Sequence, residues 1–77
     1  MDWKKLITTN PNVLHGTPCF VGTRIPISVV LDNLAANESV DFILQQYPSL
    51  NRDCILAAFA YAAELARERV VTIPNAA

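Results

Sequence analysis

Ser39-Val40-Asp41-Phe42-Ile43-Leu44-Gln45-Gln46-Tyr47-Pro48-Ser49-Leu50-Asn51-Arg52-Asp53 is the stretch that decides the fold. Ser39 offers an oxygen to the unpaired N–H groups at a helix start, and Asp41 sets a negative charge in the first turn, where the helix dipole favours it. Phe42, Ile43, Gln46 and Tyr47 then recur at helical spacing and give one mainly apolar face. Pro48 stops the helix, because the residue before a proline is pushed out of the α region. Pro48-Ser49-Leu50 forms a tight connection, and Asn51 caps a new helix with Asp53 in its first turn. A short helix, a turn of a few residues and a longer helix make a helix-turn-helix.

Downstream, winding residues 52–69 at 100° per residue places Ile55, Ala58, Phe59, Ala62, Leu65 and Ala66 on one face, expected to be core. Asp53, Ala57, Ala60, Tyr61, Glu64, Arg67 and Glu68 wind to the other side. Upstream, Ser28 is the expected cap of a first helix through Val29, Val30, Leu31, Leu34 and Ala35, which Asn37 closes in a left-handed conformation.

Residues 1–27 have a different texture. Leu6-Ile7-Thr8 and Cys19-Phe20-Val21 are short strand candidates, Thr9-Asn10-Pro11-Asn12 is a turn, and Gly22-Thr23 is a reversal in which the glycine supplies a positive φ. Pro18 and Pro26 have no N–H to give a ladder, so these strands are short or paired on one side. Such an arm is stabilised by pairing with its own hairpin or with a second subunit. The expected organisation is a single, mainly α domain: an extended N-terminal arm with short strands (1–27), a three-helix helix-turn-helix core (28–69) and an extended tail (70–77) whose Val70, Val71, Thr72 and Ile73 are β-branched before Pro74.

Seventy-seven residues, 52% hydrophobic and 17% charged, enclose only a small core and leave apolar surface over, which predicts a homodimer. Cys19 and Cys54 stand far apart, without second ligands at metal-binding spacing, so no metal site is expected. His15 stands alone beside Gly16 and reads as a turn histidine. Without a carboxylate pair, a nucleophile and base, or a phosphate-cradling glycine loop, neither catalytic residues nor a cofactor are expected, and the chain is taken as no enzyme. Met1-Asp2-Trp3-Lys4-Lys5 leads into a mixed polar run instead of an apolar signal segment, and the apolar stretches are too short to span a bilayer. The expectation is a cytoplasmic protein with no membrane partner.

The net charge of −1 is unevenly spread. Lys4, Lys5 and Arg24 against Asp2 leave the arm at +2, while Asp32, Glu38 and Asp41 leave residues 28–51 at −3. For a nucleic-acid role the candidates are Lys4, Lys5, Arg24, Asn51 and Arg52, the last two at the start of the would-be recognition helix. Each has a plainer alternative: Asn51 as a cap, Arg24 as the ion-pair partner of Asp32 or Asp41. The footprint is too weakly basic for a stand-alone DNA binder. For protein contact the candidates are the outer ridge Ala57, Ala60, Tyr61 and Glu64, whose small residues permit close helix approach, and the tail residues Val70, Val71 and Ile73, which suit strand addition. Alanines chosen only for helix propensity are the plainer reading of the ridge.

The run Leu14-His15-Gly16-Thr17-Pro18-Cys19-Phe20-Val21-Gly22-Thr23-Arg24-Ile25-Pro26 resembles the signature of a bacterial and archaeal family, domain of unknown function 433. Tyr47-Pro48 before the third helix and Ala57-Ala58-Phe59-Ala60-Tyr61-Ala62-Ala63-Glu64 within it share the resemblance. It implies a homeodomain-like helix-turn-helix and a VapB-like antitoxin of a type II toxin–antitoxin system, paired with a PIN-like toxin nuclease. Such antitoxins block the toxin by direct binding and, usually as dimers, bind their own promoter DNA. The alternative is a helix-turn-helix transcription regulator with no toxin partner.

Overall fold

A computed structural model describes residues 2–68 of the chain. It is mainly helical, with a two-stranded sheet leading into three helices: β1 (Ile7–Thr8), β2 (Cys19–Phe20), α1 (Ile27–Ala35), α2 (Val40–Gln46) and α3 (Arg52–Glu68). Val70, Val71 and Ile73 of the expected tail lie outside the described residues.

The expected caps form at two of the three helix starts. Ser39 Oγ accepts from the Phe42 N–H at 3.0 Å, and Asn51 Oδ1 accepts from the Cys54 N–H at 3.1 Å. At α1 the expectation is corrected. Pro26, not Ser28, is the capping residue, and no side chain caps there. Pro26 sits at φ −65° and ψ 147°, and its carbonyl accepts from the Val29 N–H. The Ile27 N–H donates to the Pro18 carbonyl at 3.0 Å, so the arm supplies what a capping side chain would. The end of α1 follows the sequence: Asn37 takes φ 66°, and the Asn37 and Glu38 N–H groups donate to the Leu34 and Asn33 carbonyls, the paired closure of a helix on a left-handed residue.

The arm folds back on its own hairpin. β1 and β2 pair antiparallel with Ile7 opposite Phe20 and Thr8 opposite Cys19. Gly22, at φ 76°, turns the chain so that the Phe20 N–H reaches the Ile25 carbonyl at 3.1 Å. Thr23 Oγ1 clamps this reversal, donating to the Phe20 carbonyl and accepting from the Ile25 N–H. A single 3₁₀ turn, Trp3–Leu6, precedes β1 and packs on α3. There the Trp3 and Tyr61 rings meet edge to face, centroids 6.2 Å apart.

Arm and helices share one core. Phe20 from β2 is buried together with Ile27 and Val30 of α1, Ile43 of α2, Leu50 of the turn, and Cys54, Ile55 and Ala58 of α3. Residues on both sides of position 27 therefore contribute to the same core. Both cysteines are buried free thiols. Among the described residues no helix is long and apolar enough to cross a membrane, and no three His, Cys, Asp or Glu side chains gather as metal ligands would.

Candidate functional site

The two sides of α3 exchange some of their expected residues. Cys54, Ile55, Ala57 and Ala58 are buried, and Tyr61 packs against the core. Ala57 has no exposed surface at all (0%), so it is not part of an outer ridge. Its methyl group lets α3 lie close to the rest of the fold. Phe59, expected in the core, stands 49% exposed, and Leu56 is 54% exposed. Ala63 and Ala66 are exposed with them, while Ala60 is half-buried. Glu64 is held by Arg67 across one helical turn at 3.2 Å. The outward face of α3 is thus an apolar line of Leu56, Phe59, Ala63 and Ala66.

At the start of α3 the nucleic-acid candidates are already engaged. Asn51 is committed to its cap. Arg52 reaches across to α2 and pairs with Asp41, Nη2 to Oδ1 at 2.6 Å, both side chains exposed. Asp41 is therefore Arg52's partner and not Arg24's. Among the described residues Arg24 makes no ion pair, which leaves its guanidinium exposed on the arm.

Arg24 borders a shallow cleft of about 380 Å³ that Thr8, Asn10, Val13, Thr17, Gly22 and Thr23 line with it. Below the cleft the chain makes an unusual turn: Leu14, His15 and Gly16 have φ of 49°, 56° and 81°. A leucine in the left-handed region is strained, since its Cβ crowds the backbone. Thr17 holds this turn shut, its hydroxyl and its N–H both donating to the Leu14 carbonyl at 2.6 and 3.1 Å. Asn10 shapes the approach, its side chain accepting from the Asn12 N–H at 2.9 Å. Lys4 lies with Nζ 5.8 Å from the centre of the Trp3 ring, and Lys5 is exposed. These three cations lie on the arm and Arg52 lies on α3, so the expected basic residues are divided between two elements. A second, apolar groove of about 240 Å³ is lined by Pro18, Ile27, Leu31, Tyr61 and Leu65.

Sequence reasoning missed Leu56 and Phe59 as a pair. Residues 54–63 contain no charged side chain, so periodicity alone leaves the phase of this helix open by tens of degrees. Adjacent small residues do not fix it either, because Ala57-Ala58 is buried whereas Ala62-Ala63 includes the exposed Ala63.

The chain belongs to the family described as "Protein of unknown function (DUF433)", which matches over residues 7–62. That span runs from β1 into α3 and takes in the hairpin, the left-handed turn, the helix-turn-helix and both large outward residues of α3. Among curated proteins, "Uncharacterized protein y4eO" of Sinorhizobium fredii (strain NBRC 101917 / NGR234) is 39% identical over 59 residues, which is 77% of this chain and 27% of the relative. The chain thus spans well under two thirds of that relative's length. No solved structure matches.

Proposed function

We propose that this chain is an antitoxin-like component of a type II toxin–antitoxin system: a cytoplasmic, non-enzymatic protein that neutralises a PIN-like toxin by direct binding. The nature of the toxin comes from the family resemblance. The observation that supports a protein-binding role is the outward face of α3. In a helix-turn-helix DNA reader that face meets the groove and carries cations and base-reading amides. Here it presents Leu56, Phe59, Ala63 and Ala66. The two polar candidates at its start are held by a cap and by Asp41. An exposed apolar line of this kind favours a protein surface as its counterpart.

Autoregulatory DNA binding is a secondary activity in this proposal, carried by Lys4, Lys5 and Arg24 and doubled in a homodimer. Val70, Val71 and Ile73 are the proposed toxin contacts. The test is co-expression with the product of the adjacent gene, followed by pull-down and a growth assay. A stable complex and rescue of growth are expected; neither complex nor rescue overturns the proposal. The alternative, a transcription regulator without a toxin partner, predicts a mobility shift on upstream DNA that weakens steeply with salt.

A further inference from the structure

Leu56, Phe59, Ala63 and Ala66 follow one another at spacings of three, four and three, the repeat of a helix–helix seam. The first two are large and exposed, the last two small and exposed. We propose that this seam closes on the same seam of a second copy of the chain, antiparallel and two-fold symmetric. The inference deepens the protein-binding reading by naming the occupant of this face, and it rests on that reading for the face being a contact surface.

Three features favour a second copy in this orientation. Crossing two α3 helices antiparallel about Tyr61 sets Leu56 opposite Ala66 and Phe59 opposite Ala63, large into small at both ends. A parallel pair would crowd Phe59 against Phe59 and leave a void between the alanines, and crowding and voids both destabilise. Charge agrees with shape. Asp53 and Arg67 lie on the same flank of the seam, both exposed, and antiparallel helices bring like flanks together, so that Asp53 of each copy faces Arg67 of the other. The two helix dipoles also run head to tail side by side. With 17 residues in α3, about 25 Å of helix, such a pairing buries on the order of 1,000 Å², near the lower limit for a stable dimer.

Sedimentation of the full chain from micromolar to millimolar concentration tests this. The wild type is expected to dimerise reversibly. Leu56→Asp and Phe59→Asp are each expected to weaken the dimer at least about tenfold, with the helical circular dichroism of the monomer retained. Phe59→Ala keeps high helix propensity and guards against a folding artefact in the aspartate variants. Asp53→Arg and Arg67→Asp are each expected to weaken association, and the double reversal to recover most of the loss. A wild type that is monomeric throughout, or a dimer indifferent to Leu56→Asp and Phe59→Ala, overturns the seam. A dimer in which the double reversal recovers nothing overturns its antiparallel sense. A monomeric chain that still captures the neighbouring gene product overturns the seam and leaves the antitoxin reading standing. A seam-dependent dimer that captures nothing supports the seam and removes that reading.

Discussion

Ile55 and Leu56 are neighbours of nearly equal size on one helix, yet the first is buried at 3% exposure and the second is more than half exposed. The inward side of α3 buries Ala57 and sets Cys54, Ile55 and Ala58 in one core with Phe20, Ile43 and Val30; the outward side carries Leu56 and Phe59, each about half exposed. Both sides are apolar. The difference between them is therefore not hydrophobicity but fit: the alanines let the backbone approach, and the larger outward residues are left about half exposed.

The largest effect expected is at that adjacent pair. Ile55→Asp buries an unpaired carboxylate and should cost several kcal/mol, enough to unfold a domain this small. Leu56→Asp should leave monomer stability within about 0.5 kcal/mol. Urea titration of both variants, at dilutions where the chain is monomeric, checks the contrast, and equal losses would erase the distinction between the faces. Next, Phe20→Ala should cost about 3–5 kcal/mol. The arm would then prove to be part of the inward packing and not an appendage, a conclusion that denaturation with an unchanged midpoint would refute. Ala58→Leu, on the inward face, should cost about 1–3 kcal/mol by overpacking, while the same change at Ala63 should be neutral in the monomer by thermal unfolding. Asn51→Ala should cost about 1 kcal/mol by removing the α3 cap. Smallest is Arg52→Ala, which breaks an exposed ion pair and should shift stability by about 0.5 kcal/mol or less. If its effect proves larger, the Arg52–Asp41 contact fixes the α2–α3 angle.

Much of this fold can be read from residues with strong local chemistry. Ser39, Asn37, Asn51, Pro48 and Gly22 each have one conformational use, and each is used that way. The short strands around Ile7 and Phe20 were equally visible. What resisted was anything set by relations between distant segments. The start of α1 depends on the Pro18 carbonyl, nine residues away, and so escapes a search for a capping side chain. The phase of α3 depends on which apolar side meets Phe20 and Ile43, and a helix apolar nearly all round does not declare it. Of the contact candidates, Ala57 moved inside and Tyr61 became a partner of Trp3, while Leu56 and Phe59, which were not among them, took the outward face. The candidate cations stayed accessible or exchanged partners, since exposed charges choose neighbours by geometry that composition does not encode.

The burial of Phe20 beneath α3 also bears on how the protein is made. Synthesis runs from the N-terminus, so the aromatic ring and the hairpin that carries it emerge well before Ile55 and Ala58 exist to cover them. Of the three described helices, α3 leaves the ribosome last, and it completes the core. Until then the nascent chain is open to proteases and chaperones, and a truncation before Cys54 leaves Phe20, Val30 and Ile43 without the α3 residues that share their core.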